Sequence, residues 1–176
     1  SKEFLIQDNY KEGIDLIASK AKNGEDLTSH QSKSVLDPDY NDALLNDWDI
    51  HHFHLGTNIM DTGFTERTGP LLFARITAEE FYMIDLLKHG DWTKQKLIEI
   101  IHNNWSSSIE HCKLKGVIDI SPIPTDSDIK FLRNCSINSF LKLSDGTIYM
   151  PIGGGYMTSG VSMEAVLEAD RHRKMI

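Results

Sequence analysis

The chain is poor in several things, and each shortage excludes a class of protein. Only two cysteines occur in 176 residues, Cys112 and Cys135. They are too far apart for a Cys-x-x-Cys pair, which argues against a disulfide framework or a zinc ribbon. Two buried free thiols are expected instead. Such thiols suit a reducing compartment, so a cytoplasmic setting is expected. No apolar run is long enough to span a bilayer, and no membrane partner is expected. Ser1-Lys2-Glu3-Phe4 lacks the layout of a secretory signal. With 5 prolines and 12 glycines, the chain is not of a disordered or fibrous type. Cations are in deficit: 18 Lys and Arg stand against 26 Asp and Glu, a net charge of -8. That argues against broad adhesion to nucleic acid or anionic lipid, but leaves room for a small local phosphate site.

What the chain does have is a concentration of histidine. The stretch Asp49-Ile50-His51-His52-Phe53-His54-Leu55-Gly56 carries three of the eight. Side chains of a strand alternate between faces. Ile50, His52 and His54 then share one side, and His51, Phe53 and Leu55 the other. Histidine is the side chain that changes charge most readily near neutral pH, and it also binds metals.

The surrounding pattern predicts an α+β fold: a small antiparallel sheet packed by helices, then a C-terminal β-hairpin and a terminal helix. Residues 1–120 would hold the helices and the central sheet with the histidine strand. Residues 121–176 would hold the hairpin and last helix on the same core, with the boundary at Ser121–Thr125. A first helix is expected over Asp8–Lys22, from Ile14, Ile17, Ala18 and Ala21 at helical spacing. Asp8 would cap it and Gly24 would close it. Leu27–Lys33 reads as a mobile polar connection, with a lid as the sharper alternative. Asp37-Pro38 signals a second helix, ending near Asn46-Asp47. Gly56–Gly69 is a loop whose only cation is Arg67.

Pro70–Ile76 is the clearest strand, and Phe81–Leu87 returns from a turn at Ala78-Glu79. That hairpin pairs Arg75 with Tyr82 and puts Arg75 on the face of Leu71, Phe73, Ile84 and Leu86. Asp91 would cap a helix from Trp92 to about Asn104. Phe131, Leu132 and Ile137 would supply a strand beside the final hairpin. There Asp145-Gly146 signals a two-residue turn, with Leu143 opposite Ile148, Leu141 opposite Met150, and Lys142 opposite Tyr149. Gly153–Gly155 reads as a flexible joint, with an anion cradle as the weaker alternative. Ser162 would cap the last helix, with Met163, Val166 and Leu167 facing inward and the basic Arg171–Lys174 run at its end.

Three chemistries suit the histidines. His52 and His54 could bind a metal with a third ligand from His89, Asp85, Glu66 or His30. No HExxH motif is present, and Gly56 stands where an HxHxD pattern needs its aspartate. No bound metal or cofactor is therefore expected, and a histidine-ligated metal-dependent hydrolase is kept as an alternative. The histidines could instead only bridge backbone groups in a non-catalytic interaction module. The third reading is metal-free acid–base catalysis. His52, His54 and His89 supply the base and acid, and Arg75 or Arg67 holds a phosphate on which charge builds. RNA brings its own nucleophile, the 2′-hydroxyl. Over residues 70–105 the element pattern resembles that of compact toxin-type ribonucleases, in which helices pack on a small antiparallel sheet. The expectation is a metal-independent ribonuclease with RNA, and a protein such as an inhibitor, as partners.

Overall fold

Ile14 and Ile17 lie on one face of a helix, and burying them docks α1 (Asp8–Lys22). The computed structural model describes the backbone of residues 8–174 and the side chains of residues 10–174. The Ser1–Phe4 segment and the Asp8 side chain lie outside the described residues. The fold is α+β, with five α-helices and two small antiparallel sheets among the described residues. No helix is long and apolar enough to cross a membrane. The chain divides into two compact units. One takes Ser1–Tyr40 and His51–His89, the other Asn41–Ile50 and Gly90–Ile176.

The first unit is a three-stranded sheet in the order β1-β2-β3, with α1 beside it. The strands are β1 (His51–His54), β2 (Pro70–Ile76) and β3 (Phe81–Lys88). Ile14 and Ile17 of α1 meet Phe53, Leu55, Leu72 and Ala74 in one core cluster. Each such side chain contributes about 1.5–3 kcal/mol on burial. Gly13 makes this seat close: a Cβ there would lie 2.0 Å from the Leu55 carbonyl oxygen. Gly24 ends α1 with a φ of 70° and its N–H on the Ala21 carbonyl.

Two expectations for this unit need correction. Leu27–Lys33 is more structured than a bare polar connection. It forms a 3₁₀ turn, Thr28–His30, whose His30 is buried. Asp26 accepts hydrogen bonds from the Thr28 N–H and hydroxyl, and Ser29 O accepts from the Thr65 N–H at 2.8 Å. The β2–β3 hairpin pairs Arg75 with Tyr82 as expected, but the register shifts between Phe73 and Ala74. Beyond that bulge Phe73 pairs with Asp85 and Leu72 with Leu86. Paired residues share a face, so Leu86 lies opposite to Arg75, and Asp85 takes the place on Arg75's side. A one-residue insertion is enough to exchange the two faces.

The second unit begins with α2 (Ala43–Trp48). Its cap is Asp42, which accepts from the Leu44 and Leu45 N–H groups, rather than Asp37. Asp37-Pro38 instead makes a turn, in which Asp37 accepts from the Asp39 N–H. The main helix, α3 (Lys96–Trp105), starts four residues later than expected. Gln95 precedes it, and its N–H donates to Asp126. Leu97, Ile98 and Ile101 are its buried stripe, as its periodicity predicts. A 3₁₀ helix, Ser106–Cys112, follows.

Residues 126–134 form a helix, α4 (Asp126–Asn134), not a strand. Thr125 and Asp128 close a capping box at its start. Phe131 on this helix is 65% exposed. Neither cysteine forms a disulfide among the described residues; Cys112 is buried and Cys135 exposed, so only one of the two expected buried thiols is buried.

The hairpin is present as β4 (Leu141–Lys142) and β5 (Ile148–Tyr149), with a register one residue from that expected. Leu141 pairs with Tyr149 and Lys142 with Ile148. Leu143 N–H donates to the Thr147 carbonyl, which leaves a three-residue loop with Gly146 at a φ of 87°. Three-residue loops with an αL glycine are the next commonest hairpin connection. Met150 is thereby exposed and Tyr149 buried. Leu143→Lys should destabilise this unit by about 3 kcal/mol or more, because Leu143 is buried. Lys142→Thr should cost at most about 1 kcal/mol, the worth of its half-exposed ion pair with Asp119. Equal losses in denaturant melts would contradict this.

Gly153–Gly155 is packed rather than a joint. The Gly153 N–H donates to Asp47 O and the Gly155 N–H to Asn46 O, at 3.1 and 2.8 Å. These bonds satisfy the C-terminal carbonyls of α2. They also remove the N–H groups that an anion cradle would need. The final helix, α5 (Met163–Lys174), follows Ser162, whose hydroxyl accepts from Ala165 N–H. It buries no residue fully, and Leu167 is exposed. Glu168 and Asp170 pair with Arg171, His172 and Arg173 of its basic end.

Candidate active site

The site in the first unit is built around His54, the last residue of β1. Pairing with β2 sets its neighbours: His52 lies opposite Phe73 and His54 opposite Leu71. His52 and His54 share a face, as the alternation predicts. His51 points the other way and stacks on Phe53 at 5.9 Å, which makes it part of the structural face.

His54 is only 3% exposed. Its ring is held from one side by Thr68, whose N–H donates to Nδ1 at 3.4 Å. Thr68 is itself fixed, because its hydroxyl accepts from Leu55 N–H and donates to Pro70 O. From the other side His30 Nδ1 meets the His54 carbonyl at 3.0 Å. Burial is the first cause that lowers the His54 pKa, from 6.5 to about 4. Arg67, His52, His89 and His30 add to it in that order. Burial also lowers the pKa of His30.

The groups acting on His54 come from four separate places. His52 is on its own strand, His89 is in the turn after β3, Arg67 is in the loop before β2, and His30 is in the 3₁₀ turn. Four of the five residues expected to form a site, His52, His54, His89 and Arg67, thus act within one electrostatic neighbourhood. Arg75 sits elsewhere. It lies four positions along β2 from Leu71, the partner of His54, a distance of about 13 Å along a strand. It is buried and pairs with Tyr82. Its nearer imidazole is His52, whose partner Phe73 is two positions away. The sequence offers His30 as a third metal ligand and as part of the Leu27–Lys33 segment. Its bond to a backbone carbonyl leaves no mark in the sequence. Among the described residues, no three His, Cys, Asp or Glu side chains come together as an ion-binding group.

The depressed pKa makes stability depend on pH in a definite direction. An unfolded imidazole takes up a proton below about pH 6.5, whereas the folded one resists until about pH 4. The folded state therefore loses stability as pH falls through that window, by up to about 3 kcal/mol. Denaturant unfolding at pH 7.5 and 4.5 should show a smaller pH dependence in His54→Gln than in the parent chain. Equal dependence would mean that His54 is not held neutral.

Two features of the second unit also bring polar or pocket-lining groups together. A cleft of about 660 Å³ is lined by Pro122, Pro124, Phe131, Phe140 and their neighbours. Its one ionisable residue is Asp128, whose carboxylate is occupied by the Thr125 N–H and hydroxyl. The cleft thus offers no proton-transfer group. The other feature is a chain of polar contacts. His102 Nδ1 meets the Tyr149 hydroxyl at 2.9 Å, and Nε2 meets Asp145 at 3.1 Å. Tyr149 is fully buried and both His102 nitrogens are engaged, so this chain ties the hairpin to α3. No family model, curated protein or solved structure matches the chain.

Proposed function

We propose that the chain is a metal-independent ribonuclease whose acid–base chemistry is carried by the histidines around His54. The supporting observation is placement: His52 shares a strand face with the buried His54, Arg67 adjoins the Thr68 that bonds the His54 ring, and His89 follows Lys88, the partner of Pro70 beside Leu71. Cleavage of RNA through its own 2′-hydroxyl, a transesterification, needs a base, an acid and a cation at the phosphate. His52 and His89 supply the base and the acid. One imidazole takes the 2′-hydroxyl proton as that oxygen attacks phosphorus. The other, as imidazolium, gives its proton to the departing 5′ oxygen. Arg67 offsets the charge that grows on the phosphoryl oxygens. Arg75 is assigned no contact with substrate, since it lies towards the far end of β2 from His54.

The acidic whole and this cationic neighbourhood are compatible, because a phosphodiester is recognised locally. A protein inhibitor with carboxylates towards Arg67 and His89 would complement the same charges. Two cysteines outside any disulfide suit the cytoplasmic setting such an enzyme would work in. The test is incubation of the purified chain with RNA and DNA oligonucleotides, with and without a chelator. RNA should be cut in both conditions and DNA in neither. His52→Ala and His89→Ala, shown to be folded, should each lose about 10²–10⁴-fold in rate. Intact RNA throughout would favour the interaction module, and cleavage abolished by the chelator would favour a metal-dependent hydrolase.

A further inference from the structure

We infer that His54 is the site's fixed hydrogen-bond donor, presenting Nε2–H with the Arg67 guanidinium to a non-bridging phosphoryl oxygen, and that His30 is the residue that positions it. The inference rests on the ribonuclease reading only for attributing that oxygen to RNA. The donor state of His54 follows from its hydrogen bonds, and Arg67 is placed beside it by the neighbouring Thr68, which bonds the ring.

The Thr68 N–H can only donate, so His54 Nδ1 must accept. A neutral imidazole has one proton, and with Nδ1 accepting it sits on Nε2. Among the described residues no hydrogen bond reaches that Nε2, although the side chain is almost wholly buried. A polar hydrogen in such a position is suited to a ligand oxygen. A second proton on this ring would face Arg67, His52, His89 and His30, with no carboxylate among the described groups that act on it. The ring is therefore a poor carrier of charge and a good stationary donor, as neutral imidazoles elsewhere are. Arg67 is exposed and lies in the same neighbourhood, which gives the oxygen a cation as well as a donor.

His30 acts through the backbone. The His54 carbonyl can only accept, so His30 Nδ1 carries the hydrogen of their 3.0 Å bond. The 3₁₀ turn that bears His30 is anchored by Asp26 and by the Ser29–Thr65 bond. His30 and Thr68 thus clamp His54 from its carbonyl and its ring. His30→Asn keeps an N–H near the carbonyl and should preserve the His54 ring state, whereas His30→Ala should not.

The experiment is nitrogen-resolved NMR of the imidazoles in the whole chain, with inorganic phosphate as the probe. The His54 signals should show an unprotonated Nδ1 and a protonated Nε2, unchanged from pH 8 to pH 5. Phosphate should shift the Nε2–H signal. His54→Ala should weaken phosphate binding about tenfold, the worth of one hydrogen bond to a charged group. His54→Gln places an amide N–H near the Nε2 position and should recover most of that loss. On RNA, His54→Ala should lose about 10²–10³-fold, the usual cost of a missing oxyanion donor. His54→Gln should lose about tenfold. A proton on Nδ1, a His54 titration midpoint near 6.5, or an Nε2–H unmoved by phosphate would overturn the inference whether or not RNA is cut. So would His54→Gln as impaired as His54→Ala. RNA left intact while the NMR results hold would instead overturn the ribonuclease reading and leave the anion subsite standing.

Discussion

Arg133→Met is expected to destabilise the second unit by about 3–5 kcal/mol, the cost of leaving a buried charge without its partner. Arg133 and Asp47 are both buried, and the guanidinium Nε donates to the Asp47 carboxylate at 2.7 Å. Arg133 also donates to the Trp92 carbonyl and lies 4.0 Å over the Trp48 ring. Burial outweighs the attraction of Arg133 and holds the Asp47 carboxyl above its usual range. The pair is therefore a constraint on geometry more than a source of stability. Replacing both partners, Asp47→Leu with Arg133→Met, should recover most of the loss, because apolar pairs of similar volume are often as stable. Denaturant unfolding of the two singles and the double measures this. A double variant as unstable as the sum of the singles would show that the pair itself is strongly stabilising.

Gly13→Ala should destabilise the first unit by about 2–3 kcal/mol. At an open helix position the same change would stabilise by up to about 1 kcal/mol. Here the new Cβ would lie 2.0 Å from the Leu55 oxygen and 3.0 Å from its Cα. Both are backbone atoms, so no side chain can swing away, and α1 must move off the strand. The displaced residue adjoins His54, so the variant should also disturb the His54 signals in the NMR spectrum. Increased stability in Gly13→Ala would contradict the close seat of α1.

Much of the fold was legible where one local signal had one meaning. Ile14 and Ile17 set α1, and the alternation of His52 and His54 about Phe53 set the faces of β1. The Arg75–Tyr82 pair followed from the Thr77–Glu80 turn, in which Thr77 N–H donates to the Glu80 carbonyl. The misses came where two signals competed. Asp37-Pro38 is the stronger helix-start signal, but burial of Leu44 and Trp48 at i and i+4 starts α2 at Asp42 instead. Thr125-Asp126-Ser127-Asp128 reads as a capping box, and the apolar Phe131 and Leu132 obscured it. Asp145-Gly146 marks a turn in two- and three-residue loops alike, so the register of β4 and β5 was open by one residue. The bulge at Phe73 has no residue signature, and it moved Asp85 to the face of His52. In the site, residue types and strand faces could be read from the sequence. The clamp on His54 from His30 and Thr68 depends on tertiary contacts with backbone atoms.

The measurement that bears most directly on the central claim is the chemistry of the ends left on RNA cut in the presence of a chelator. The proposed acid–base cleavage at the His54 site would use the substrate's 2′-hydroxyl as nucleophile. It must therefore leave a 2′,3′-cyclic phosphate on one fragment and a 5′-hydroxyl on the other. Fragments carrying a 5′-phosphate, or no fragments at all from the folded chain, would contradict the account.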